Sequence, residues 1–141
     1  MTSSFQTSLP PHGIPMRISE IMAAGGEQMD GKSVRVVGRV DNYDASRSVA
    51  VLSEPNKTDA ALCDRKLTVD TSLVDAADFR HASQVMLIGE LEKGQGLTSS
   101  ASEVVLKARV SRCVDRLDYA LYCRALGVWR TYDASEMSRS T

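Results

Sequence analysis

Five short stretches with period-two alternation, an irregular insertion between the third and fourth, and glycines inside the first and fourth predict an all-β chain. That order suits a five-stranded Greek-key barrel of the OB-fold class, with a short N-terminal helix and a long C-terminal helix. An SH3-like barrel is the alternative, but that architecture rarely ends in a long apolar helix. At 141 residues the chain is large enough for one real core and too small for two.

The elements follow in chain order. Residues 1–17 carry Pro10, Pro11, Gly13 and Pro15 without periodicity and read as a flexible arm, which Phe5, Ile14 and Met16 can pin to a groove. Ser19 reads as the N-cap of a short helix that ends at Gly25-Gly26. Asp30-Gly31 is a turn signal. The first strand, Lys32 to Tyr43, alternates Val34, Val36, Gly38 and Val40 against Arg35, Val37, Arg39 and Asp41. Gly38 within it predicts a bend or bulge. The loop Asp44-Ala45-Ser46 leads to a second strand, Arg47 to Glu54, with Val49 and Val51 on one side. A third strand covers Ala61 to Thr71, with Leu67 and Val69 its inward pair. Ser72 to Ser83 is not strand-like and holds a single helical turn, Val74 to Phe79. The fourth strand, Gln84 to Glu92, sets Val85, Leu87, Gly89 and Leu91 on one face. Lys93 to Ser102 is a Gly/Ser-rich loop, expected to be the most mobile internal segment. The fifth strand, Glu103 to Val114, alternates Leu106, Ala108 and Val110 against Lys107, Arg109 and Ser111. The barrel domain thus covers residues 18–133, and 134–141 read as a disordered tail.

The helix over residues 118–132, capped by Asp118, is more apolar than one core requires. At about 100° per residue, Leu117, Leu121, Ala125, Val128 and Tyr132 form one stripe. Tyr119, Tyr122, Leu126 and Trp129 form a second beside it. A helix resting on a single core needs only a stripe somewhat over a quarter-turn wide. The excess points to a partner protein, and Tyr119, Leu121, Tyr122, Leu126 and Trp129 are the candidate contacts.

Composition narrows the chemistry. A net charge of −1 and a pI of about 6.1 give no global basic field. Cys63, Cys113 and Cys123 form no CxxC pair, and with only His12 and His81 nothing has metal-ligand spacing. No cofactor is expected, and no run approaches the roughly 18 apolar residues of a membrane span. Asp64, Asp70, Asp75, Asp78 and His81 cluster in sequence, but on a weak strand and a loop, where solvated charge is the expected reading over acid–base catalysis. Gly94-x-Gly96 lacks the lysine and helix start of a phosphate loop. The chain is therefore expected not to be an enzyme.

Single-stranded nucleic acid is the remaining class. OB-folds that grip single strands combine basic grooves with aromatic platforms, each stack worth roughly 1–3 kcal/mol. Arg35, Arg39, Lys107 and Arg109 fall on the outward phase of the first and fifth strands, expected to be neighbours and so to share one patch. The aromatic residues are mostly elsewhere, four of them in the terminal helix, with Tyr132 at its end the one best placed to touch a base. Intrinsic binding is expected to be weak and backbone-directed.

Three pieces of sequence carry a resemblance: Gly38-Arg39-Val40 with Tyr43-Asp44, Ile88-Gly89-Glu90-Leu91, and Val105-Leu106-Lys107-Ala108-Arg109-Val110 followed by Cys113-Val114-Asp115. From about Val34 to Tyr132 the chain resembles the Ten-one family, the smallest subunit of the telomere-associated CST complex. The resemblance implies an OB-fold that pairs with the Stn-one subunit through C-terminal helices. It also implies assembly with the large Ctc-one subunit, binding of single-stranded telomeric DNA, recruitment of DNA polymerase alpha-primase for fill-in synthesis, and residence in the nucleus at the telomeric region of the chromosome. An autonomous single-strand-binding OB module is the competing reading.

Overall fold

The computed structural model describes residues 13–55, 66–93 and 104–140. A two-residue strand, β1 (Ile14–Pro15), precedes two short helices, α1 (Ile18–Ala24) and α2 (Gly26–Met29). Five longer strands follow: β2 (Ser33–Asp44), β3 (Val49–Ser53), β4 (Lys66–Asp70), β5 (Gln84–Lys93) and β6 (Val104–Cys113). A 3₁₀ turn, Ala76–Asp78, lies between β4 and β5, and α3 (Tyr119–Ser140) ends the chain.

The five longer strands close on themselves. β2 pairs antiparallel with β3, β3 antiparallel with β4, β4 parallel with β6, β6 antiparallel with β5, and β5 antiparallel with β2. This is the expected OB-type barrel. Its long first strand spends Ser33 to Arg39 on β5 and Arg39 to Asp44 on β3. The edge of β2 left open near Val34 is taken by β1, in parallel register.

Alternation explains the core. Val34, Val36 and Val40 of β2 point inward with Leu67 and Val69 of β4, Val85, Leu87 and Leu91 of β5, and Leu106 and Ala108 of β6, all fully buried. Ile18 and Ile21 of α1 add to this core, and Phe79 joins it, its ring stacked on Tyr43 at 5.6 Å. Burying each large aliphatic side chain is worth about 1.5–3 kcal/mol.

Several expectations need correction. On β3 the core pair is Ala50 and Leu52, while Val49 and Val51 are half-buried on the other face. Val49 and Val51 do share one side, but both faces of that strand are apolar, so the pattern did not say which side was inward. Val110 is 43% exposed rather than inward. The β5–β6 register shifts between Ile88 and Gly89, leaving Arg109 without a register partner and reversing the alternation beyond it. The two strand glycines divide in role. A Cβ on Gly89 would sit 2.1 Å from the Lys107 carbonyl oxygen, so the irregularity needs glycine there. Gly38 marks no bulge, since β2–β5 pairing runs unbroken past it. It leaves room for Leu52 and Ile18, whose side-chain carbons lie 2.8 and 2.9 Å from a hypothetical Cβ. The bulge of β2 falls instead between Val40 and Asn42.

The first helix is capped at Arg17, not Ser19, and ends as expected at Gly25, whose φ is 86°. The terminal helix begins after Asp118 as expected but continues to Ser140, taking in residues 134–140 of the presumed tail. The expectations for arm residues 1–12, for Ala61 to Arg65 and for the loop after Lys93 fall outside the described residues.

These contacts set a rank order. Gly89→Ala forces backbone apart and is expected to cost about 3 kcal/mol or more. Gly38→Ala meets only side-chain atoms, of Leu52 and Ile18, and is expected to cost about 1–3 kcal/mol. Urea unfolding midpoints measure both, and equal midpoints for Gly89→Ala and the parent chain would contradict the assignment.

Candidate partner-docking site on the terminal helix

The terminal helix is positioned by charge relayed through α1. Asp118 caps it by accepting the Leu121 amide at 3.2 Å. About three turns on, Arg130 donates to both carboxylate oxygens of Glu20 at 2.6 and 2.8 Å, and to the Pro15 carbonyl at 2.8 Å. Glu20 also accepts the Arg17 amide at 2.8 Å. Arg17 in turn donates to Glu54, at the end of β3, at 2.8 Å through Nε and 2.6 Å through Nη2. Glu54 accepts the Ser19 amide with its other oxygen at 2.9 Å. Barrel, arm, α1 and α3 are thus joined by two arginine–glutamate pairs.

The environments tune these groups. The Arg130 guanidinium holds Glu20 below the ordinary glutamate value of 4.5, against the opposing effect of burial. Burial pushes Glu54 up, but the Ser19 amide and Arg17 outweigh it and leave the carboxyl below that value. Burial raises the phenols of Tyr119 and Tyr122.

This linkage fixes which face of α3 is free. Tyr119 and Leu126 are buried, Tyr122 and Cys123 half-buried, and the Tyr119 and Tyr122 rings stack at 5.9 Å. Of the residues expected to meet a partner, Tyr119 and Leu126 therefore face their own domain, because the Arg130–Glu20 pair turns that arc inward. The other arc is open: Leu121 is 54%, Val128 70%, Trp129 44% and Tyr132 62% exposed, with Ala125 between them. On a helical wheel Val128, Leu121, Tyr132, Ala125 and Trp129 follow one another within about 100°. They make one continuous apolar stripe: four members belong to the first row read from the sequence and Trp129 to the second, and of the five only Leu121 and Trp129 were among the expected partner contacts.

The two strands that carry the expected cations are not neighbours as the patch assumed, although Arg109 Nη2 comes within 3.5 Å of Ser33 Oγ on β2. β2 and β6 are not neighbours, because β5 lies between them. Arg35 lies beneath α3 and lines a groove with Tyr122 and Trp129. Arg39 and Lys66 both approach Asp41, at 3.7 and 3.2 Å. Arg109 lies 3.8 Å from Glu90, and Lys107 stands opposite Asp70 on β4 and Glu90 on β5. The acidic cluster after β4 is structural: Asp70 caps Ser72, Asp75 caps Ala77, and Asp78 accepts from Ser111. Among the described residues no group of His, Cys, Asp and Glu is placed to hold a metal ion, and no helix is long and apolar enough to cross a membrane.

The two glutamates predict an acid-sensitive linkage. Their folded values lie below the ordinary one, so the stability they add is fully present above about pH 4.5 and is lost as pH falls through the lower, folded values. Glu54→Gln is expected to unfold at lower temperature near neutrality and to show a shallower fall in Tm between pH 5 and 3. Parallel Tm–pH curves for the two proteins would contradict this.

Known proteins resemble this chain in sequence and in fold. A family model described as a telomere-capping CST complex subunit matches residues 9–136. The mouse CST complex subunit TEN1 is 30% identical over 121 residues, covering 84% of this chain and 66% of the mouse protein, just under two thirds of its length. The Arabidopsis thaliana protein of the same name is 25% identical over 120 residues, covering 85% of each chain. Among solved structures, a chain of the S. pombe Stn1–Ten1 complex superposes with a TM-score of 0.62 at 13% identity, covering 87% of this chain and 96% of that one, a likeness of fold. The chain belongs to the TEN1 family of telomere-capping CST complex subunits.

Proposed function

We propose that this CST subunit acts as a non-catalytic adaptor whose terminal helix docks on the Stn-one subunit to form a heterodimer. One observation carries the reading: a continuous apolar stripe, Leu121, Ala125, Val128, Trp129 and Tyr132, stands open on a helix whose opposite face is already packed on its own domain. Apolar surface of this kind on a small domain marks an interface, and aromatic residues on it act as anchors. The S. pombe relative in complex with Stn1 supports the choice of partner.

In the assembled complex the heterodimer joins the Ctc-one subunit and single-stranded telomeric DNA, and supports fill-in synthesis by DNA polymerase alpha-primase at the telomeric region of the chromosome in the nucleus. Family membership supports this wider setting. The chain's own contribution to DNA is small. Arg39 and Arg109 already lie near carboxylates and Lys107 is flanked by acids, while Arg35 is half-buried in the groove beside α3. Tyr43 stacks on Phe79, and among the described residues no aromatic side chain stands on the outer face of β2, β3 and β4. That face lacks the stacking platform of an autonomous single-strand binder, so the adaptor reading is preferred.

The stripe gives a direct test. Val128→Asp with Tyr132→Asp is expected to weaken binding to the Stn-one subunit by about 2–4 kcal/mol, roughly thirtyfold or more in Kd, with the unpartnered chain's Tm unchanged. Calorimetric titration measures this, and unaltered affinity would reject the stripe as the docking surface. Leu126→Ala on the packed face is expected instead to destabilise the unpartnered chain by about 2–5 kcal/mol.

A further inference from the structure

The open stripe is too small to hold a stable partner alone. Its four large side chains, Leu121, Val128, Trp129 and Tyr132, are between 44% and 70% exposed. Even at roughly 250 Å² for each, the upper end for an aromatic side chain, they offer at most about 600 Å². A stable interface takes about 800 Å² from each partner. A docked partner therefore covers more of this chain than the stripe.

Only one flank of the stripe leads to further apolar surface. Beyond Val128 the helical wheel runs into Arg124 and Thr131, both exposed and polar. Beyond Trp129 a groove of about 380 Å³ runs past Tyr122 to Arg35 on β2. From there the outer wall of the barrel continues. Arg35 stands opposite Ile88 on β5, and Ile88 stands opposite Val110 on β6. Val85 and Leu87 point into the core, so Met86 and Ile88 face outward, both half-buried. The register shift at Gly89 that turns Val110 out of the core turns Arg112 out as well, opposite Met86. Strands about 4.8 Å apart place Val110 about 10 Å from Arg35. That is close to the width of one helix with its side chains, about 10–12 Å.

Charge on this wall points to the chemistry of what covers it. Arg109 has Glu90 at 3.8 Å. Arg112 is exposed and forms no ion pair among the described residues. A lone cation at the rim of an apolar wall is complementary to an acidic residue of the partner.

We propose that the Stn-one subunit, docked on the open stripe, extends across the groove onto this wall, laying an apolar segment on Ile88 and Val110 and setting a carboxylate against Arg112. The inference rests on the stripe being the docking surface and adds a second contact to it. Calorimetric titration of the Stn-one subunit into the full-length chain tests the two surfaces separately. Val110→Asp is expected to weaken binding about tenfold or more. Arg112→Glu is expected to weaken it about tenfold at about 0.1 M salt and by less at about 1 M, where the Debye length falls from about 10 to about 3 Å. Arg112 is exposed and unpaired, so that variant is expected to fold like the parent and reports on the wall even where Val110→Asp unfolds the strand. Normal affinity in both wall variants, with the Val128→Asp and Tyr132→Asp chain weakened, would overturn the extension and leave docking on the stripe intact. Normal affinity in all of these chains would overturn both. Wall variants that bind the Stn-one subunit normally but weaken the assembled complex on single-stranded DNA would also overturn the extension, assigning Arg112 to phosphate.

Discussion

Two carboxylates at the N-terminus of a seven-residue helix hold this molecule in one piece. A helix as short as α1 is marginal alone, and its first amides have no partner within the helix. Glu54 reaches across from β3 to accept the Ser19 amide, and Glu20 accepts the Arg17 amide. Each carboxylate also takes an arginine, Arg17 from the arm or Arg130 from α3. Burying Glu54 is costly, and the two kinds of donor together offset that cost. From underneath, Ile18 and Ile21 anchor α1 in the barrel core. The orientation of the terminal helix is a consequence of this junction, since Arg130 fixes its rotation about its own axis.

That rotation divides the labour within the protein. Tyr119 and Leu126 turn inward and complete the domain, while Leu121, Val128 and Tyr132 turn outward and remain available. The barrel surface is occupied differently, with Arg39 and Lys66 near Asp41 of β2 and Arg109 near Glu90 of β5. Exposed pairs of this kind add little stability, but they lower the charge on offer to phosphate. An OB-fold arranged this way is suited to presenting a helix to a protein more than a groove to a nucleic acid.

The barrel was legible because inward positions on β4 and β5 alternate strictly, as do those of β2 apart from the added burial of Val37, and each buried residue there is apolar or glycine. On β3 both faces are apolar, and alternation alone could not say which was inside. Val110 was lost to a register shift at Gly89, and that shift depends on cross-strand geometry. The aromatic-rich terminal helix and its surplus apolar surface were visible from spacing alone. Which stripe would be free was not, because the deciding contact joins Glu20 to Arg130, 110 positions apart. The Glu54–Arg17 pair escaped notice for the same reason, although an acid directly after an apolar strand was a usable hint. The expected adjacency of the first and fifth long strands failed on topology: β5 sits between them.

Amide hydrogen exchange on the chain, free and bound to the Stn-one subunit, tests the central claim most directly. Docking through the open stripe predicts slowed exchange over residues 121–132, with β3 and β4 unchanged. Protection on β3 and β4 with the terminal helix unaffected would contradict the account.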